Sequence, residues 1–149
     1  MIYWFTGQPA HGKTVLANLL KEHLEKNKLF TYKCLRVDGD DMRELFSNKD
    51  YSIKGRVENV GTAQRIAHYL HNQGEDVIVS LVAPYIDQRE DFKKLLGDNI
   101  KEIYVHTTQR RERDHFKAIA YSAPKENFID IDTTVDTPNE SFEKILKQI

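Results

Sequence analysis

The feature that most constrains this chain is a stretch of eight residues, Gly7 to Thr14, close to its N-terminus. The stretch has the pattern G-x-x-x-x-G-K-T, with Gln-Pro-Ala-His between the two glycines. An apolar run at 2–6 precedes it and helical leucine spacing follows it, so its context is strand, turn and helix. The backbone N–H groups and helix N-terminus of such a turn suit a phosphate chain. The predicted phosphate-binding loop consists of Gly7, Gln8, Pro9, Ala10, His11, Gly12, Lys13 and Thr14.

Two side chains of this loop have predicted roles. Lys13 would reach the β- and γ-phosphates of a nucleotide, and the Thr14 hydroxyl would ligate Mg²⁺. The alternative is a chance match on an ordinary strand-to-helix turn, which the flanking strand and helix argue against. Nucleotide binding is therefore predicted from the loop alone, whereas the reaction must be inferred from other residues.

Composition narrows the class of protein. With 149 residues, 40% of them hydrophobic, the chain can bury one sizeable core, so we expect a single domain over 1–149. The net charge of −1 argues against nucleic acid or an anionic membrane as a partner. A single cysteine, Cys34, excludes an intrachain disulfide and a cysteine-built zinc site. With no signal-peptide pattern and no apolar run near the roughly 20 residues that span a bilayer, a cytoplasmic location is expected.

Apolar runs alternate with helical segments along the whole chain. The predicted strands lie at about 2–6, 32–37, 77–82, 102–106 and 127–131. The predicted helices lie at about 12–26, 42–46, 56–73, 87–96 and 109–117, with a last helix capped by Thr137. This alternation predicts an α/β fold with a five-stranded parallel sheet, flanked by helices on both faces, and ligands beyond the carboxyl ends of its strands.

An acidic cluster follows the second predicted strand, at the sheet edge where the phosphate loop is also expected. One carboxylate of Asp38, Asp40 and Asp41 could hold metal-bound water, and another could accept a proton from an attacking hydroxyl. The alternative is a solvated turn that caps a helix, and Asp41 is the residue we most expect to be only a cap. Arg43, Arg56 and Asn59 are candidates for a second, phosphate- or sulfate-bearing substrate, although each alone is more often a surface residue.

Several segments, in their order and spacing, resemble the adenylylsulfate (APS) kinases. The resemblance covers most of residues 1–133 and indicates a P-loop NTPase fold. The segments are Trp4-Phe5-Thr6-Gly7, Val37 to Arg43, Arg56 to Asn59, Val79 to Tyr85, Ile103 to Thr108, Arg113-Asp114 and Tyr121 to Asn127.

The resemblance implies a reaction. APS kinases transfer the γ-phosphoryl group of ATP, with Mg²⁺, to the 3′-hydroxyl of adenosine 5′-phosphosulfate (APS), which gives PAPS, the activated donor of sulfate assimilation. Asp40 matches the aspartate that acts on this hydroxyl, with Lys13 and Asp38 completing the catalytic set and Asp38 near the Mg²⁺ ligand Thr14. A homodimer is also implied. The implied acceptor contacts are Arg43, Tyr51 by stacking, Arg56, Asn59, Val82 by its backbone and the lid residue Lys117, while Arg113 would lie beside the ATP base.

Three departures from the family pattern bear on the acceptor. The loop interior from Gln8 to His11 replaces small residues, and we expect the bulky His11 to face solvent rather than the phosphates. Ala83 replaces a serine before Pro-Tyr, which excludes a phosphoserine there. The lid, about 109–126, is short. Two alternatives stay open: a related kinase with a different nucleotide-type acceptor, such as cytidine diphosphoramidate, and a non-catalytic nucleotide-binding module.

Overall fold

The computed structural model describes residues 1–27, 33–109 and 117–149. Five parallel strands form one sheet: β1 (Ile2–Thr6), β2 (Leu35–Asp38), β3 (Val77–Ser80), β4 (Ile100–His106) and β5 (Phe128–Asp132). The spatial order of the strands is β2-β3-β1-β4-β5. The helices are α1 (Lys13–Asn27), α2 (Gly39–Leu45), α3 (Ile53–Asn72), α4 (Ile86–Leu96) and α5 (Pro138–Leu146), with a 3₁₀ turn at Gly97–Asn99.

Side chains that alternate along the central strands build two cores, one on each face of the sheet. Trp4 and Val79 pack with residues of α3 and α4 on one face, where the Trp4 ring meets Phe92 edge-to-face at 5.3 Å. Phe5 and Ile78 pack with residues of α1 and α5 on the other face. Since period-2 alternation sends neighbouring side chains to opposite faces, both faces must be covered by helices. The predicted five-stranded α/β fold is confirmed.

Helix termini explain where the element bounds differ from the sequence-based ones. Helix α2 begins at Gly39, earlier than the predicted 42, because the Asp38 side chain accepts from the backbone N–H of Asp40. Helix α3 likewise begins early, with Ser52 as its N-cap. The predicted capping box at Thr137 is present at the start of α5. Most of the predicted helix at 109–117 lies outside the described residues.

The described residues contain no helix that is both long and apolar enough to cross a membrane. The element order places the carboxyl ends of β1, β2 and β3 side by side at one edge of the sheet. The phosphate loop, the acidic cluster and the turn before Tyr85 follow these three strands, so they meet at that edge.

Candidate active site

The phosphate loop has the backbone that its glycines predict. Gly7 has a φ of 145°, and a Cβ at this position would lie 2.0 Å from the carbonyl oxygen of Val105, so no other residue fits. Gly12 also has a positive φ, and helix α1 starts directly after it. Close contact with β4 therefore holds the loop at the end of the central strand, with the N-terminus of α1 behind it.

The lysine of the loop bonds back to the loop itself, whereas the threonine bonds to the acidic cluster at the end of β2. The Nζ of Lys13, a residue only 8% exposed, donates to the carbonyl oxygen of Gln8 at 2.7 Å. The Thr14 hydroxyl donates to Oδ2 of Asp38 at 3.4 Å. The loop and the acidic cluster thus form one continuous polar surface.

Asp38 accepts several hydrogen bonds at the end of β2. Its Oδ1 accepts from the N–H of Asp40 at 3.0 Å, and its Oδ2 accepts from Ser80 Oγ at 2.7 Å and from an Arg36 Nη at 2.9 Å. These bonds fix its orientation toward Thr14. They also correct an expectation, because the cap of α2 is Asp38 and not Asp41.

Asp40 and Asp41 follow in the first turn of α2, and both are exposed. Asp40 lines the cavity at this edge of the sheet, whereas Asp41 is absent from the described residues that line it. Gly39, between Asp38 and Asp40, lets α2 pack closely on β3, since a Cβ there would lie 2.7 Å from Leu81 Cβ. The turn is therefore built to hold Asp38 and Asp40 against the cavity.

The cavity has a volume of about 280 Å³ and extends from the phosphate loop to the start of α3. Residues from the phosphate loop, α2, α3 and the segment after β3 line it. They are Pro9, Ala10, Gly12, Lys13, Thr14, Val15, Asp38, Gly39, Asp40, Arg43, Tyr51, Arg56, Asn59, Val60, Ser80, Leu81, Val82, Ala83 and Pro84.

A cationic and aromatic cluster stands at the end of the cavity away from the loop. The Arg43 guanidinium lies 4.0 Å from the centroid of the Tyr51 ring, and that of Arg56 lies 5.5 Å from it. Burial, and to a lesser extent the nearby Arg56 charge, lowers the pKa of Arg43. Two like charges beside one ring are a place where an anion is stabilised.

Hydrogen bonds from side chains to backbone carbonyl oxygens hold this cluster in place. An Arg43 Nη donates to the carbonyl oxygen of Asp50 at 2.9 Å, and Arg56 Nε donates to that of Tyr51 at 3.0 Å. Asn59 is 7% exposed and donates to the carbonyl oxygen of Gly39 at 3.3 Å, which joins α3 to the start of α2. Sequence reasoning named these site residues, and the fold brings Arg43, Tyr51, Arg56 and Asn59 together.

The other predicted site residues fall in different places. Val82 lines the cavity, and its carbonyl oxygen accepts from the Thr6 hydroxyl at 2.9 Å. Lys117 is exposed and is not among the described residues around the cavity. Arg113 lies outside the described residues. The expectation that His11 faces solvent is wrong, because this residue is only 6% exposed.

Sequence reasoning missed one buried arginine, Arg89, which bonds to the backbone of a residue that lines the cavity. Arg89 is 2% exposed and makes three hydrogen bonds: to Glu102 Oε1 at 2.8 Å and to the carbonyl oxygens of Ala83 and Ser122, each at 2.6 Å. Ala83 has a φ of 42°, an unusual value for a residue with a side chain, and this bond holds it there. An arginine on a charged helix gives no sequence signal of burial.

A phosphate loop at one end of a cavity and an anion-binding cluster at the other are the arrangement of a P-loop kinase, which holds donor and acceptor together. Residues 1–145 match the model of the adenylylsulphate kinase family. The chain belongs to this family.

Individual relatives agree with the family assignment. The adenylyl-sulfate kinase of Buchnera aphidicola subsp. Acyrthosiphon pisum is 31% identical over 145 residues, which cover 93% of this chain and 69% of that protein. The adenylyl-sulfate kinase of Thermodesulfovibrio yellowstonii is 31% identical over 168 residues, covering 99% and 82% of the two chains. The solved structure of the Mycobacterium tuberculosis APS kinase in complex with AMPPNP and APS superposes with a TM-score of 0.81. At 21% identity, over 98% of this chain and 95% of that one, this likeness shows the shared fold.

Proposed function

We propose that this kinase transfers the γ-phosphoryl group of ATP to the 3′-hydroxyl of APS and so forms PAPS. One observation carries the proposal: a single cavity joins the phosphate loop to the cluster of Arg43, Tyr51 and Arg56. An acceptor with an aromatic base and an anionic group matches a ring flanked by two guanidinium groups. The names of the curated relatives support the same reaction.

The donor end suits a nucleotide polyphosphate. The loop N–H groups and the N-terminus of α1 would hold the phosphates, and Lys13 would leave the Gln8 carbonyl oxygen to contact the transferred group. Thr14 and Asp38 present a hydroxyl and a carboxylate oxygen 3.4 Å apart, a hard oxygen pair that fits Mg²⁺. Mg²⁺, when bound there, would neutralise charge that develops on the phosphates.

The acceptor end would orient the hydroxyl that is phosphorylated. Arg43 and Arg56 would hold the anionic group of the acceptor. Asn59 and the Val82 backbone line the same part of the cavity and would contact the rest of the acceptor. Asp40 lines the same cavity, and its carboxylate would accept the proton of the attacking hydroxyl. Catalysis would consist mostly of positioning and of charge stabilisation by Lys13.

Three features remain predictions: the homodimer, the cytoplasmic location and the single domain over 1–149 with a short lid at about 109–126. The roles of Arg113 beside the ATP base and Lys117 in the lid also remain predictions. Lys117 is not among the described residues that line the cavity, so its role is the less supported of the two.

A coupled assay of ATP consumption tests the proposed reaction. The purified protein is supplied with Mg²⁺ and ATP, and then with APS, a cytidine diphosphate-linked acceptor or no acceptor. We expect only APS to stimulate turnover and to yield PAPS, with Lys13→Ala abolishing the stimulation while the circular dichroism spectrum is unchanged. Stimulation by the cytidine compound alone would assign a different acceptor. Tight ATP binding without stimulation by any compound would indicate a non-catalytic module.

A further inference from the structure

The side chain of Gln8, inside the phosphate loop, is bonded to a residue 110 positions further along the chain. Its Nε2 donates to the carbonyl oxygen of Ala118 at 2.9 Å, and its Oε1 accepts from the N–H of the same residue at 2.9 Å. Ala118 is buried. The Gln8 side-chain amide therefore bonds to both the N–H and the carbonyl oxygen of a single residue, and this pair of bonds fixes both the distance and the orientation of the side chain.

Residues 118–122, which we call the strap, begin at this contact and make further hydrogen bonds to Thr6 and to the segment after β3. The Tyr121 hydroxyl lies 2.9 Å from the Thr6 hydroxyl. The N–H of Ser122 donates to the carbonyl oxygen of Pro84 at 2.9 Å, and the Ser122 carbonyl oxygen accepts from Arg89. The strap thus connects the phosphate loop to the turn after β3.

That turn forms part of the acceptor side of the cavity. Val82, Ala83 and Pro84 line it, and Arg89 holds the carbonyl oxygen of Ala83 while this residue keeps its positive φ. Ser122 of the strap bonds to both Arg89 and Pro84, so a shift of the strap would displace both of these residues. The position of the strap is therefore coupled to the shape of the acceptor wall.

We propose that Gln8 is a positioning residue that couples the phosphate loop to the acceptor wall through the strap. Its backbone carbonyl oxygen accepts from Lys13, while its side chain holds Ala118, so one residue contacts both the lysine of the donor end and the strap. The kinetic part of this inference rests on the proposed function. The inference assigns a role to a position that the G-x-x-x-x-G-K-T pattern leaves open to any residue.

The bonding pattern requires an amide. Leucine has a similar volume but neither donor nor acceptor, whereas glutamate keeps the acceptor for the Ala118 N–H and places a carboxylate against the Ala118 carbonyl oxygen. Both Gln8→Leu and Gln8→Glu should release the strap without a change in the loop backbone. Gln148→Leu is the matched control, because Gln148 makes an exposed side-chain bond to the carbonyl oxygen of Lys144 in α5.

Hydrogen exchange and kinetics are measured on the wild type and these variants, all with residues 1–149. In Gln8→Leu, the amides of 118–122 should exchange about tenfold faster, while those of β3 keep the wild-type rate. The KM for APS should rise about tenfold. Gln8→Glu should change both quantities in the same direction, and Gln148→Leu should match the wild type.

The possible outcomes test separately the coupling through the strap, the positioning role of Gln8 and the proposed function. Wild-type exchange in 118–122 of both Gln8 variants would overturn the coupling. Faster exchange over the whole protein in both variants would show a general structural role and would also overturn it. Faster exchange only in 118–122 with an unchanged KM for APS would overturn the positioning role. If the wild type does not phosphorylate APS, the proposed function fails, and local exchange at 118–122 then supports or overturns the coupling alone.

Discussion

The hydroxyl of Thr14 lies 3.4 Å from a carboxylate oxygen of Asp38. Thr14 is in the first turn of α1, which follows β1, whereas Asp38 ends β2, and these two strands do not pair with each other. Strand β3 separates β1 from β2, and its last residue, Ser80, donates to the same oxygen at 2.7 Å. The parallel sheet brings the three strand ends to one edge. Two hard oxygen ligands consequently face the place where nucleotide phosphates are expected.

Asp38→Asn should weaken the use of Mg²⁺ while it preserves the fold. Asparagine keeps an oxygen that can cap α2, but it loses the negative charge that also pairs with Arg36. We expect kcat to fall about 10- to 100-fold and the apparent affinity for Mg²⁺ to fall with it. Initial rates over a Mg²⁺ titration measure both quantities. A wild-type Mg²⁺ dependence would remove Asp38 from the metal site.

Asp40→Asn should reduce turnover far more than it reduces ATP binding, because the lost carboxylate would accept the proton of the acceptor hydroxyl. The expected loss in kcat is about 10²-fold or more. The adjacent Asp41→Asn is a close control, since both residues are exposed in the first turn of α2 and only Asp40 lines the cavity. Equal effects of the two substitutions on kcat would contradict the assignment.

Tyr51→Leu should weaken acceptor binding, because it removes the ring around which Arg43 and Arg56 are arranged. We expect the KM for APS to rise about tenfold, with the affinity for ATP retained. Tyr69→Leu, at a 64% exposed position on α3, is the control for the loss of a surface tyrosine. An unchanged KM in Tyr51→Leu would place the acceptor elsewhere.

Glu102→Gln should strongly destabilise the protein. Glu102 pairs with Arg89 and with Lys93, each at 2.8 Å, and the first pair is almost fully buried. Neutral glutamine leaves the buried Arg89 guanidinium without its carboxylate, while Lys93 keeps its pair with Glu90. The loss at Arg89 should lower the free energy of unfolding by about 3 to 5 kcal/mol. In contrast, Asp91→Asn removes an exposed pair with Lys94 and should cost less than about 1 kcal/mol. Urea denaturation of both variants gives the comparison.

Tyr121 should make stability depend on pH in alkaline solution. Burial raises its pKa above the ordinary value of 10.0, by more than the hydrogen bond to Thr6 lowers it. The folded protein therefore keeps the phenol proton at a pH where the unfolded chain has lost it. This contribution to stability is complete below pH 10.0 and is lost as the pH rises through the folded-state pKa.

Tyr121→Phe removes this titration but keeps the ring. Between about pH 8 and about pH 11, the free energy of unfolding should therefore fall less in the variant than in the wild type. Urea denaturation at several pH values measures the two slopes. Identical slopes would show that the buried phenol does not contribute.

Local patterns were enough to predict the strands, the phosphate loop and the capping box of α5. Each depends on residues a few positions apart, such as Gly7 and Gly12 in the loop or Thr137 and Glu140 in the cap. The likeness of several short segments to one family also identified Arg43, Tyr51, Arg56 and Asn59, which the fold gathers at one cavity.

Which side chains are buried and which distant groups meet depends on the packing of the whole fold. His11 is buried and its carbonyl oxygen accepts from Thr133, Gln8 bonds to Ala118, and Arg89 bonds to the carbonyl oxygen of Ser122. These contacts join residues that are far apart in the chain, and a residue's neighbours in sequence carry no information on such pairs. Residue patterns alone were thus sufficient for the class of fold and the donor loop, whereas the arrangement of donor and acceptor groups around one cavity depends on how the strand ends pack together.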